Sequence, residues 1–231
     1  MNYALFANPR EGSPILTKLY QIKPPSVVFT FFNNIDSWKR ILYRALRGSL
    51  TVEDKLRFFY KTEFYDYRML TPALLEKIIL KNRIEIGIIT TFYSLLKKEI
   101  YDCFPLGVFN FHPSLLPLHG GANPFFWVIY NGDQYSGTTC YKINEILDSG
   151  EAFIQNRYNV EGMNSRQLFK LFADDIKEMV PMLLADYHKL QINSFPTGAT
   201  VYDPKNLPEI SEIKDEVTLE RYHRAYKLYS K

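Results

Sequence analysis

Apolar and polar positions along this chain fall into short blocks that alternate between two periods. Tyr3-Ala4-Leu5-Phe6-Ala7 is an apolar run, and Val27–Phe31 and Glu85–Thr90 are β-branched or aromatic runs of similar length. Such runs predict strands. Helix-start signals lie between them. Ser13-Pro14 sets a hydroxyl acceptor before a proline suited to a first turn. Asp36 or Ser37 can cap a helix over 38–47, and Thr51 with Asp54 has the spacing of a capping box. Thr71-Pro72 opens a helix to about Asn82, with Leu74, Leu75, Ile78 and Ile79 on one stripe. Ser94 is expected to cap a helix over 94–103 that stops before Pro105. Strands alternating with helices across short connections predict an α/β fold with a mostly parallel sheet and helices on both faces.

The pattern continues through Val108–His112, a strand whose apolar run is interrupted by Asn110 and ends in His112. Residues two apart on a strand share a face, so Asn110 and His112 project the same way. Pro113 holds His112 out of helical geometry. The stretch SLLPLHGGA reads as an ordered irregular loop, Asn123-Pro124 caps and starts a helix through Asn131, and Gly132 ends it. Ser136–Ile143 alternates as a strand, 144–150 is a loop, and Ala152–Val160 is a further strand. Asn164 with Gln167 caps a long helix with a buried stripe of Leu168, Phe172, Ile176, Met179 and Leu183. An interior Pro181 predicts a kink there. A short hairpin after Phe195 and a helix from Thr218 follow. Tyr222, Tyr226 and Tyr229 on that helix can pack back or meet a partner subunit.

Composition narrows the classes. With 231 residues, 46% of them hydrophobic, the chain can bury one large core with an appendage. No apolar run approaches the ~20 residues that span a bilayer, and the first residues lack the apolar region of a signal peptide. Cys103 and Cys140 are the only cysteines and have no metal spacing, so a reduced, cytoplasmic protein without a metal is expected. A net charge of +3 is too small to imply a nucleic-acid partner. Basic residues outnumber acidic ones between Trp38 and Arg68, which reads as a solvated helical face or as a wall that attracts an anionic substrate. The loop Asn8–Gly12 is a plain α/β connection or an anion site; with one glycine it is no dinucleotide fingerprint.

The candidate chemistry gathers at one strand end. Ligands of open α/β sheets bind outside the carboxyl ends of strands, where Asn110 and His112 sit. Asp148, in a loop, can reach the same edge. Taken singly, a strand-end histidine and Asn or Asp in turns are ordinary. Together they are an amide, an imidazole and a carboxylate without an adjacent nucleophile: Ser114 lies two positions past His112, and Cys140 has no partner in sequence. That argues against a hydrolase triad. It suits acyl transfer to a substrate's own nucleophile, with a base, an oxyanion donor and an orienting carboxylate supplied by the enzyme.

From Phe109 to Gly150 the chain resembles the folate-dependent formyltransferases. The shared pattern is N-x-H-x-S-L-L-P, a G-x-x-P-x-x-W helix entry, a strand after G-x-T, and L-D-x-G. It is met by Asn110, His112, Ser114, Leu115, Leu116, Pro117, Gly121, Pro124, Trp127, Gly137, Thr139, Leu147, Asp148 and Gly150. The resemblance implies a mostly parallel, Rossmann-like sheet, a catalytic domain over 1–190 and a C-terminal extension of hairpin and helix over 191–231. It implies N10-formyltetrahydrofolate as co-substrate, with His112 as proton acceptor, Asn110 as oxyanion donor and Asp148 as the carboxylate that holds His112 or a water. Folate contacts are implied at Thr91, Phe92 and Tyr93 and at Glu145, Ile146 and Leu147, and substrate contacts at Ser114, Gly121 and Asn123. A homodimer is expected.

The acceptor is implied less directly. Only a short stretch follows Leu190, whereas the methionyl-tRNA enzymes carry a further C-terminal domain. ANPREGSP departs from the glycine-rich phosphate loop of the glycinamide ribonucleotide enzymes. The tail Thr197–Tyr202 and the PSLLP loop are similar to those of nucleotide-sugar N-formyltransferases. The expected acceptor is therefore the amine of a dTDP- or UDP-linked amino sugar destined for a surface polysaccharide such as lipopolysaccharide O-antigen. Specificity is expected in the loops 8–12, 50–70 and 113–123. The purine and tRNA transferases, a formyltetrahydrofolate hydrolase and a binding protein with a vestigial site are the alternatives.

Overall fold

The computed structural model describes residues 1–8, 13–31, 45–48, 51–149, 151–190, 193–194 and 200–228. The expected helix over 38–47 with its caps, most of the Asn8–Gly12 loop, Gly150, the 195–199 stretch and Tyr229 lie wholly or largely outside them. The chain divides into two compact units, Met1–Phe109 with Val180–Ala185, and Asn110–Met179 with Asp186–Lys231.

In the first unit, β1 (Asn2–Phe6), β2 (Val27–Thr30), β3 (Glu63–Asp66) and β4 (Ile84–Ile89) run in the order β3-β2-β1-β4, parallel at every pairing. Leu5, Phe6, Val27 and Phe29 are fully buried, as continuous apolar strands covered on both faces must be. Helices α1 (Ser13–Ile22), α2 (Val52–Phe59), α3 (Pro72–Asn82) and α4 (Lys98–Tyr101) connect them. The Thr51–Asp54 box forms reciprocally: Thr51 N–H donates to Asp54 Oδ2 at 3.0 Å and Asp54 N–H to Thr51 Oγ1 at 3.2 Å. Thr71 caps α3 by accepting from Leu74 N–H.

Two expectations for this unit change, and one strand was not expected. The edge strand β3 carries no apolar run, because Glu63 and Asp66 bracket Phe64 and Tyr65, and it is held by parallel pairing to β2. Leu74 faces solvent; the buried stripe of α3 is Leu75, Ile78 and Ile79. The helix after Ser94 is a single turn, Lys98–Tyr101, and Ser94 does not cap it. Ser94 Oγ instead bonds the carbonyl of Leu95, which is exposed.

Strand β5 (Val108–His112) starts in the first unit and gives Asn110–His112 to the second. There it is followed in the sheet by β7 (Tyr135–Lys142), β8 (Glu151–Asn159) and β9 (Asn193–Ser194), with β7–β8 and β8–β9 antiparallel. Helix α5 (Pro124–Asn131) ends at Gly132 in the left-handed region, as expected. Helix α6 begins at Ser165 under a full Asn164–Gln167 capping box and continues through Pro181 to Asp186. Leu168, Phe172, Ile176, Met179 and Leu183 are all buried. Helix α7 (Glu216–Ala225) is capped by Asp215, whose carboxylate accepts from Thr218 N–H. Tyr222 and Tyr226 pack back, edge-on, against Phe126 of α5.

Two short segments of the second unit matter more than their length. Gly120–Gly121, read from sequence as irregular loop, forms β6 and pairs in parallel with β10 (Val201–Tyr202). The strands that flank the expected hairpin therefore pair elsewhere, β9 with β8 and β10 with β6. The mostly parallel α/β reading holds. No described helix is long and apolar enough to cross a membrane.

Candidate active site

Asn110 and His112, on one face of β5, lie beside Asp148 in the loop after β7, all within the second unit. His112 is buried, and its Nε2 lies 2.8 Å from the carbonyl of His119. A carbonyl only accepts, so Nε2 carries a proton; in the neutral form of the ring the lone pair then lies on Nδ1. Nδ1 faces Asp148 Oδ2 at 3.7 Å. Asp148 is buried as well and accepts from the Tyr141 hydroxyl at 2.6 Å and from the Gly121 N–H. Asn110 Nδ2–H donates to the same Tyr141 hydroxyl at 3.0 Å. The amide, imidazole and carboxylate named from sequence thus converge, through one phenol that sequence reading passed over.

The surrounding motif residues build this geometry. Thr139 Oγ1 donates to Ser114 O at 2.7 Å and accepts from Leu116 N–H at 3.1 Å, pinning the loop after His112 onto β7. Gly137 is required beside it: a Cβ there would meet Asn156 O at 1.9 Å and Leu115 Cδ2 at 2.5 Å. The loop's own closure comes from Ser114, whose hydroxyl donates to Leu118 O at 2.6 Å. Ser114 was expected at the substrate, but here it is fully buried and its hydroxyl is spent inside the loop. His119 is turned inward at φ 55, with its Nε2–H on Asp133 and its ring stacked on Tyr202.

The remaining predicted positions are distributed over both units. Asn123 is the N-cap of α5, which starts at Pro124 as expected, but it lies in the left-handed region and makes no side-chain cap bond. Gly121 contributes its N–H to Asp148. Glu145, Ile146 and Leu147 form an exposed turn, with Ile146 N–H on Asn144 Oδ1, that leads directly into Asp148. Thr91, Phe92 and Tyr93 belong to the first unit. There Thr91 holds φ 48, unusual for a β-branched residue, and Phe92 stacks on Phe31 at 5.0 Å. Cys140 is wholly buried, which pushes its thiol well above its ordinary range and removes it as a nucleophile. No cluster of His, Cys, Asp and Glu fit for a metal occurs among the described residues.

The formyl transferase family profile matches residues 8–181. This chain belongs to the formyl transferase family. Among its curated relatives, the methionyl-tRNA formyltransferase of Pseudothermotoga lettingae is 27% identical over 184 residues, covering 77% of this chain and 56% of the relative. The chain thus spans about half the length of that protein. The N-formyltransferase of Helicobacter canadensis, solved with folinic acid and dTDP-3-aminofucose, superposes with a TM-score of 0.67 at 15% identity, covering 100% of this chain and 83% of that chain. The phosphoribosylglycinamide formyltransferase of Streptococcus pneumoniae superposes with a TM-score of 0.58 at 16% identity over 80% of this chain and 97% of that one. At these identities the superpositions establish a shared fold.

Three participants escaped sequence reading. Tyr141 looked like a strand aromatic. The available signal was its spacing from Thr139, since the two lie on β7 two residues apart and both reach the β5 side of the site. His119 and Asp133 sit in segments read as loop and helix end, and nothing local marks their pairing.

Proposed function

We propose that this formyl transferase moves the formyl group of N10-formyltetrahydrofolate to the amine of an amino sugar linked to a nucleoside diphosphate. The observation that carries the transfer chemistry is the convergence of Asn110, His112 and Asp148. Asn110 spends one amide hydrogen on Tyr141 and has a second for a formyl oxygen as it gains charge. His112 presents the lone pair of Nδ1 and can take the proton that the amine loses as its nitrogen bonds the formyl carbon. The folate supplies the one-carbon unit, and its N10 takes up that proton as the bond from N10 to the formyl carbon breaks. Asp148, 3.7 Å from Nδ1, stabilises the charged ring between the two transfers. The side chains fit such a reaction, since they offer a donor, a base and a carboxylate without a nucleophile of their own.

The sugar acceptor is supported by coverage: the Helicobacter canadensis enzyme follows the whole chain, the purine enzyme four-fifths of it. The exposed apolar turn Ile146–Leu147, adjoining Asp148, suits a flat pterin ring. A second reading, methionyl-tRNA as acceptor, is favoured by the curated relatives. The deciding assay offers N10-formyltetrahydrofolate with dTDP- and UDP-linked amino sugars, glycinamide ribonucleotide or methionyl-tRNA, and reads the formylated product by mass spectrometry. A formylated nucleotide sugar supports the proposal; product from either other acceptor alone overturns it.

A further inference from the structure

We propose that Tyr141 is a positioning residue that orients the Asn110 carboxamide and the Asp148 carboxylate as one hydrogen-bonded unit. The inference rests on the formyl-transfer reading of the same site. Tyr141 is 2% exposed, on β7, where the register with β8 shifts between Cys140 and Tyr141. Irregularities of this kind re-aim side chains next to active sites. Its hydroxyl bonds both partners: it donates to Asp148 Oδ1 at 2.6 Å and accepts from Asn110 Nδ2 at 3.0 Å.

The polarity of this chain of bonds follows from counting hydrogens. An ionised carboxylate only accepts, so the single phenolic hydrogen belongs to Asp148. What Tyr141 shows Asn110 is then a lone pair, and Asn110 must answer with its NH₂ group rather than its oxygen. The carboxylate thereby decides, through the phenol, which end of the carboxamide points where. Burial pushes the Tyr141 phenol well above its ordinary range, and the Asp148 charge adds to this. The hydroxyl therefore remains a donor throughout the working pH range. Asp148 is held from the other side by Gly121 N–H, and both residues occupy the left-handed region, at φ 46 and φ 83. A backbone so committed leaves the carboxylate little freedom to follow a displaced partner.

Without the hydroxyl, the Asn110 amide loses the bond to Tyr141 that distinguishes its two ends. In the reversed orientation its oxygen, not its N–H, meets a developing negative charge. A purely structural role, a buried aromatic filling space on β7, predicts no such effect, because Tyr141→Phe keeps the ring.

The test compares wild type, Tyr141→Phe, Asn110→Ala and the double variant. Tyr141→Phe is expected to lower kcat about 10- to 100-fold with KM for both substrates within about twofold, a share of what a lost oxyanion donor costs. Added to Asn110→Ala, it is expected to lower the residual single-turnover rate by less than about twofold, since residues acting as a unit are non-additive. Wild-type kcat in Tyr141→Phe, or additive losses, overturns the proposal. An acceptor-independent measurement separates this from the function itself. In ¹⁵N-asparagine-labelled protein, the Asn110 NH₂ signal, assigned by its loss in Asn110→Ala, is expected to exchange with solvent about tenfold faster in Tyr141→Phe. The same acceleration is expected in Asp148→Asn, which decides the matter should Tyr141→Phe fail to fold. Unchanged exchange overturns the proposal. If the wild type formylates no acceptor while exchange responds as stated, the functional reading fails and the positioning role stands.

Discussion

The imidazole of His112 and the carboxylate of Asp148 face each other at 3.7 Å, Nδ1 to Oδ2, too far for a hydrogen bond and close enough for an ion pair. With the Nε2 hydrogen held by the His119 carbonyl, both facing atoms are acceptors while the ring is neutral. A proton arriving on Nδ1 changes that: the ring then meets an anion in a buried setting, where attraction between charges is stronger than in water.

Replacing Gly121 tests how tightly the carboxylate is built in. Its φ of +83 already disfavours a side chain, and a Cβ would lie 2.3 Å from Tyr202 O. Gly121→Ala must push β10 away or twist the N–H off Asp148. We expect about 2–4 kcal/mol of lost stability, read by denaturant unfolding, together with a fall in kcat. Wild-type stability would show that β10 is a passive neighbour.

The His119–Asp133 pair acts on His112 at one remove, because the His119 carbonyl holds His112 Nε2 while the His119 ring is tied to Asp133. Asp133 is one-third exposed at its side chain, so the pair contributes only about 1 kcal/mol to stability. Asp133→Asn should thus lower the melting temperature slightly. A loosened His119 also blurs the orientation of His112, and kcat is expected to fall about tenfold, the scale of a partly misplaced base. Steady-state kinetics beside a melting curve separates the two effects.

Legibility in the sequence followed the range of the cause. The caps at Thr51, Thr71 and Asn164 and the buried stripe of α6 depend on residues three or four apart, and they stand as read. Asn110 and His112 were visible as a polar pair on an apolar strand, costly to bury unless paired, and Asp148 through the L-D-x-G part of the resemblance. Edge strand β3 was not visible, since Glu63 and Asp66 break the apolar pattern and Glu63 is paired with Lys81 of α3. Strand β6 was not visible either: two glycines carry no side-chain pattern, and their partner β10 lies far along the chain. Tyr141 belongs with these, because its role depends on partners from two other segments.

Buried phenols give the fold a defined alkaline limit. Burial pushes Tyr158 up to about 12, and Tyr3 and Tyr141 are driven further in the same direction. The unfolded chain releases these protons near pH 10, so above that the folded state binds more protons than the unfolded one. Their contribution is complete below about pH 10 and falls as pH rises through the folded values, by about 1.4 kcal/mol per unit for each phenol. Phenolate absorbance should lag behind that of free tyrosine until the protein unfolds. Full ionisation near pH 10 with the fold intact would contradict this.

The most direct measurement is the rate of formyl transfer by His112→Ala and by Asn110→Ala, with circular dichroism confirming that each variant is folded. Formyl transfer to the acceptor amine should fall by at least about a hundredfold in each, the scale for removing a general base or an oxyanion donor. Turnover near the wild-type rate in either folded variant would contradict the account.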